Sequence, residues 1–123
     1  MIFVTVGTQL AFPRLMAAMD ALAPTLAEPI VAQVGPDTTP RTHLDVRANL
    51  TPAEFSAQFT AARVVVAHAG IGTVLTAKQL GKPLILVPRR FDQGEHRNDH
   101  QMATARELSM RQGLYVAWDM TDL

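Results

Sequence analysis

A valine run, Val64-Val65-Val66, passes through Ala67 into His68-Ala69-Gly70-Ile71-Gly72-Thr73, and a helix-compatible segment follows at once. β-Branched residues ending in a histidine and two spaced glycines describe a buried strand that turns tightly into a helix. The first N–H groups of such a helix have no intrahelical acceptor, and its dipole places partial positive charge beside them. The turn suits an anion, and a nucleoside diphosphate is the usual occupant of turns of this kind. Gly70 and Gly72 let the backbone come close to phosphate oxygens. Thr73 can cap the helix and donate its hydroxyl, and His68 can donate a ring N–H. A helix end is worth only about 0.3–2 kcal/mol to an anion, so several donors must act together. The alternative is a tight strand–helix turn without a ligand, His68 then being a satisfied structural histidine.

Two further clusters carry polar chemistry. Gly7-Thr8 follows the first apolar run, where a bare turn explains them nearly as well as a phosphate contact. Arg89, Arg90, His96, Arg97 and His100 form a basic cluster in an otherwise neutral chain. Arginine is suited to bidentate recognition of phosphate or carboxylate. The cluster can therefore meet a donor diphosphate, a uronic acid carboxylate or an acceptor pyrophosphate. It can equally be a solvated loop whose charges pair with Asp92, Glu95 and Asp99. The spacing of Glu95, Asp99 and the histidines is poor for a metal site, and none is expected.

The elements that position these clusters alternate between strands and helices. Ile2 to Val6 reads as a strand, and Pro13 opens a helix with Leu15, Met16, Met19 and Leu22 at helical spacing up to Pro24. Ile30 to Val34 is a second strand, 37–43 a polar loop, and Leu44 to Ala48 a short edge strand. Thr51-Pro52-Ala53-Glu54 is a capping-box pattern that opens a helix carrying Phe55, Phe59 and Ala62 on one face. Val64 to Ala67 is the central strand. Thr73 to Leu80 is a helix stopped by Gly81, and Leu84 to Val87 is another buried strand. A polar loop at 88–97, a helix over 98–112, a strand at 114–118 and the start of a further helix at 119–123 complete the reading. Continuous apolar strands separated by helices imply a Rossmann-like parallel sheet with helices on both faces. Ligands bind such sheets at the carboxyl ends of the strands, where all three polar clusters fall.

Composition narrows the class. The chain has 123 residues, 48% hydrophobic, with zero formal net charge and no cysteine. This is the size of a single domain, here 1–123. Neutrality gives no field for nucleic acid or an anionic membrane, and the missing thiols exclude disulfides and a cysteine nucleophile. No signal peptide or membrane-length apolar run is present, so a cytoplasmic protein that meets the membrane only through a partner is expected.

The segments His68 to Thr73, Leu80-Gly81-Lys82-Pro83-Leu84-Ile85-Leu86-Val87-Pro88 and Asn98-Asp99-His100-Gln101 together resemble the C-terminal-domain family of family 28 glycosyltransferases. Phe3-Val4-Thr5-Val6-Gly7-Thr8-Gln9, Phe12, Leu15 and Gln33-Val34-Gly35 extend the likeness along nearly the whole chain. It is greatest to the short catalytic subunits of two-part exopolysaccharide and dolichol-type enzymes. The resemblance implies the C-terminal half of a GT-B fold, holding a nucleotide-sugar donor, with UDP-sugar expected. The acceptor site and membrane anchor would lie on a partner glycosyltransferase subunit, and the acceptor would be a lipid-linked saccharide. Diphosphate contacts are implied at Gly7, Thr8, His68, Gly70, Gly72 and Thr73. Sugar or nucleotide contacts are implied at Thr76, Arg89, Arg90, Asn98, His100 and Gln101. Asp92-Gln93 also resembles a sugar-reading pair of the wider superfamily, but the later cluster precedes a helix in the family's manner. At Thr76 many relatives carry a glutamate that grips the ribose. A threonine accepts only weakly there, so donor affinity would fall unless Gln79 or the partner compensates. The family's chains usually continue for another helix, so a C-terminal helix is expected to be missing.

The reading is then a donor-binding subunit of an inverting glycosyltransferase in exopolysaccharide biosynthesis. It needs no cofactor, and its general base is expected on the partner. The rivals are a non-catalytic nucleotide-binding module and a partner-interaction module of the same fold. Phe12, Met102 and Trp118 are candidates for a partner surface, though core packing is the plainer role for each.

Overall fold

The computed structural model describes residues 1–7, 10–89, 101–102, 105–106 and 114–118. Its elements in chain order are β1 (Ile2–Thr5), α1 (Pro13–Leu22), a 3-10 turn (Ala23–Thr25), β2 (Ile30–Gln33), β3 (Asp45–Arg47), α2 (Pro52–Ala61), β4 (Val64–His68), α3 (Ile71–Leu80), β5 (Leu84–Val87) and β6 (Leu114–Val116). Residues 101–102 and 105–106 are helical, within the stretch where the sequence predicts a helix. The predicted start of a helix at 119–123 lies outside the described residues.

The strands form one sheet in the order β3-β2-β1-β4-β5-β6, and every pairing is parallel. Burial on both faces explains the unbroken apolar runs, since side chains of alternate residues feed two cores. Ile2, Val4 and Val6 pack with Leu15, Met16 and Met19 of α1 on one face. Phe3, Val65 and Ala67 pack with Phe59 of α2 and Ala77 of α3 on the other. Phe3 meets Phe55 and Phe59 edge-on, with ring centroids 5.6 and 6.1 Å apart. Such pairs add about 0.5–1.5 kcal/mol beyond burial. β3 is the exposed edge strand that the sequence predicts, shortened by a residue at each end.

Local chemistry sets the helix ends. The capping box at Thr51 is complete: Glu54 N–H donates to Thr51 Oγ1, and Thr51 N–H donates to Glu54 Oε1. α2 ends against Lys82, whose Nζ donates to the Ala62 carbonyl at 2.9 Å. Gly81 closes α3 with φ +64, a conformation that favours glycine. α1 stops at Leu22 because Pro24 cannot continue an α-helical ladder, and the chain tightens into the 3-10 turn. No helix among the described residues is long and apolar enough to cross a membrane.

At the sheet edge where the strands begin, Glu28 joins β2's approach to β4's start. Arg63 holds its carboxylate with Nε and Nη2, the shortest contact being 2.6 Å, and the Met1 amine lies 2.9 Å away. The hydrogen bonds from Arg63 and then from the amine lower the Glu28 pKa from 4.5 to about 2. A depressed carboxylate stabilises the folded state above its unfolded value, and that contribution is lost as pH falls toward the folded value. Glu28→Gln should therefore lower the melting temperature near neutral pH. The gap to the native protein should close between pH 4.5 and about 2. Thermal melts across that window check it.

Candidate active site

β1 leads to α1 on one face of the sheet, whereas β4 leads to α3 on the other. β1 and β4 are neighbours, so the loops after them part and leave a crevice at the carboxyl ends of the strands. Gly7 follows β1, and His68, Ala69 and Gly70 follow the line of β4. The two predicted clusters thus meet at one point of the sheet.

The His68 ring sits between the two glycines. A Cβ placed on Gly7 would lie 3.5 Å from its Cε1; one on Gly70 would lie 2.6 Å from Nε2 and 3.0 Å from Cδ2. Gly70 has an ordinary extended backbone, φ −102 and ψ 139, so the ring, not the backbone, requires glycine there. Gly7 is required by its backbone, with φ +76. A buried polar relay holds this turn: Gly7 N–H lies 3.4 Å from Thr5 Oγ1, whose O–H donates to Gln33 Oε1 at 2.8 Å. Thr5 and Gln33 are 1% and 2% exposed. A threonine and a glutamine inside otherwise apolar strands were the sequence signal for this pair.

Gly70 is the N-cap of α3, and no side chain caps this end. Capping by Thr73 was expected. Thr73 instead lies in the first turn, and α3 begins two residues earlier than predicted, because Gly70 already accepts from Val74 N–H at 3.2 Å. The first turn has no acidic residue either. Its first N–H groups have no intrahelical acceptor. Around Gly72 a Cβ would meet nothing within 4 Å, and its φ is not positive. Neither packing nor backbone therefore asks for glycine at that position. Thr76 turns its hydroxyl back onto the Gly72 carbonyl at 3.0 Å.

Arg89 has a different position from the one the basic cluster suggested. It is 1% exposed, and its guanidinium donates to the carbonyls of Val6, Leu10 and Ala11. The fork is turned into the protein and braces the loop between β1 and α1. Its own backbone N–H donates to Gln101 Oε1 at 3.0 Å, which brings half-buried Gln101 to the same edge. Arg14, not singled out in the sequence, reaches from α1 to the Pro88 carbonyl at 3.4 Å. Phe12 is fully buried, with the Arg89 cation 4.9 Å from its ring centroid, and Trp118 packs against the second core. Met102 is half-buried. Thr8, Arg90, Asn98 and His100 lie outside the described residues, as do Asp92, Gln93, Glu95, His96, Arg97 and Asp99. Among the described residues no three His, Asp or Glu side chains gather as a metal ligand set.

The crowding of His68 against Gly70 gives a direct test. Gly70→Ala should cost about 1–3 kcal/mol through overpacking against the ring. The same change in a His68→Ala background should cost far less, because the obstructing atoms are gone. A double-mutant cycle by denaturant unfolding measures the coupling.

The comparisons with known proteins agree with this fold. The glycosyltransferase SnogD from Streptomyces nogalater superposes with a TM-score of 0.65 and 18% identity over 99% of this chain and 31% of its own. The glycosyltransferase of kitacinnamycin gives 0.65 and 18% over 98% and 30%. Spinosyn forosaminyltransferase SpnP gives 0.64 and 16% over 98% and 32%. At such identities the likeness is one of fold, that of the C-terminal half of GT-B glycosyltransferases. The chain spans about a third of the length of these proteins. No curated protein sequence matches it. The sequence profile of the glycosyltransferase family 28 C-terminal domain matches residues 1–117, and the chain belongs to that family.

Proposed function

We propose that this chain is the donor-binding catalytic subunit of an inverting glycosyltransferase, moving a sugar from a UDP-sugar to a lipid-linked acceptor in exopolysaccharide biosynthesis. The observation that carries the reading is the first turn of α3. It is uncapped, starts at the crevice beside His68, and contains a glycine at 72 with open space around it. Glycine in a helix costs about 0.5–1 kcal/mol relative to alanine. Close approach of a phosphate supplies a reason for it. Uridine, the lipid-linked acceptor and the two-part arrangement rest on the family resemblance. The partner subunit would carry the acceptor site and hold the pair at the inner face of the membrane.

In the transfer, the acceptor hydroxyl oxygen attacks the anomeric carbon on the side opposite the diphosphate. The bond from that carbon to the diphosphate oxygen breaks, and UDP leaves with the electron pair. A base takes the hydroxyl proton; it is assigned to the partner or the cleft between the subunits. N–H groups of the α3 turn and the His68 ring would stabilise the charge growing on the leaving group. Preorganised donors of this kind are usually the largest catalytic contribution. Gln101 and, beyond the described residues, Arg90, Asn98 and His100 would read the sugar and nucleotide, with Thr8 at the diphosphate.

A second reading, a nucleotide-binding module without transfer, is favoured by Thr76. Its hydroxyl is engaged with Gly72 O, at the position where many relatives have a ribose-gripping glutamate. Co-expression with the partner separates the two. Transfer by the pair supports the enzyme, binding without transfer supports the module, and substantial turnover by the chain alone would overturn the assignment of the base to the partner.

Titration of the purified chain with UDP, GDP and dTDP, followed by NMR, tests the site itself. UDP should shift Gly70, Gly72 and Thr73, with affinity near millimolar, about 4 kcal/mol. His68→Ala should weaken or abolish the shifts. Gly72→Ala should raise the melting temperature while weakening UDP. A Gly72→Ala protein that is more stable and binds UDP undiminished would remove the ligand explanation for that glycine.

A further inference from the structure

Arg89 is the largest fully buried side chain among the described residues, and the transfer chemistry gives its charge no direct task. A guanidinium out of water is costly unless its N–H groups are met. Here main-chain oxygens of one loop meet them. Nη2 donates to Val6 O and Leu10 O, each at 2.8 Å, and Nη1 donates to Ala11 O. β5 is not a sheet neighbour of β1, because β4 lies between them. Arg89 therefore reaches across the end of the strand that carries His68 to hold the loop that begins with Gly7.

Resting on the donor-site reading above, we propose that Arg89 is a positioning residue for the diphosphate, acting through the direction of the peptide groups in the β1–α1 loop. In a trans peptide the carbonyl and the N–H point to opposite sides, and the described residues include no cis bond. Drawing the Leu10 and Ala11 carbonyls onto a buried cation turns the N–H groups of Ala11 and Phe12 away from it, and half-buried Ala11, unlike fully buried Phe12, can present its own at the surface. The carbonyl oxygens, whose partial negative charge would repel a diphosphate, are withdrawn into the protein. The backbone N–H of the same residue selects the oxygen end of the Gln101 amide and leaves the NH2 end facing elsewhere. One residue thereby sets both flanks of the crevice. Lysine cannot replace it, since a single ammonium lacks the planar fork that spans three separated carbonyls.

Arg89→Lys in the full chain tests this, read by amide hydrogen exchange without nucleotide and by NMR titration with UDP below both melting temperatures. Exchange at residues 10–12 should quicken and UDP affinity should fall by about tenfold, the order expected for one lost charge-assisted hydrogen bond. Arg63→Ala, on the opposite sheet edge, is the control: it should lower the melting temperature and leave UDP affinity alone. An Arg89→Lys protein that is merely less stable, with native UDP affinity or native loop exchange, would overturn the proposal. If Arg89→Lys does not fold, Phe12→Leu decides by the same two readouts, because it removes the ring beneath the cation and keeps an apolar side chain. Faster loop exchange with weaker UDP supports the proposal; native affinity overturns it. Absence of UDP binding in the native protein is a separate result, visible without any variant. It would overturn the donor-site reading and this proposal with it.

Discussion

Parallel pairing of all six strands brings the carboxyl end of every strand to one edge, and the start of each crossover helix with it. The positive ends of the helix dipoles gather there too. Between β1 and β4 the chain departs to opposite faces, so no connection fills the gap between those two strands. His68, Gly7 and Gly70 occupy that gap. The site is a consequence of strand direction: a single antiparallel neighbour at this point would have covered it with a turn.

The two edges of the sheet are held by different physics. Where the strands begin, Glu28 and Arg63 pair in contact with solvent, which screens them. Where the strands end, two groups of buried polar atoms meet each other. Gln33, Thr5 and Gly7 are linked on one side, and Arg89 gathers three carbonyls on the other. Each buried carbonyl left without a donor would cost about 1–3 kcal/mol. Such contacts fix geometry closely, because no water competes for their partners. The contrast places the closely held polar contacts at the edge where the donor is proposed to bind.

The family assignment and the fold are consistent with the sugar transfer proposed above, in which the α3 turn would hold the leaving diphosphate. The same turn is built less for stability than the start of α2. α2 opens with a complete capping box, whereas α3 opens on glycine and carries another glycine within its first turn. Alanine at Gly72 would meet no neighbour and would suit a helix better.

Much of this was legible in the residues themselves. The apolar runs gave the strands, the Thr51-to-Glu54 box gave the start of α2, and Gly81 gave the end of α3, because each depends on near neighbours in the chain. The convergence of Gly7 with His68 followed from the rule for parallel sheets. The basic cluster suggests an Arg89 that faces a ligand or solvent, and misses contacts that no local spacing encodes; Thr73 lies inside the first turn because α3 begins two residues earlier than its spacing suggests. The acceptors of Arg89 lie 78 to 83 residues away, on a strand's loop that is not even its sheet neighbour. Likewise the ring of His68 against Gly70, which gives that glycine a packing reason, is not legible from local spacing. Sequence alone determined which segments form strands and helices and at which edge the polar residues gather, since periodicity and caps are local. Only the tertiary structure decided which of those residues face the crevice and which brace it, since burial and hydrogen-bond partners arise from strands brought together across the whole chain.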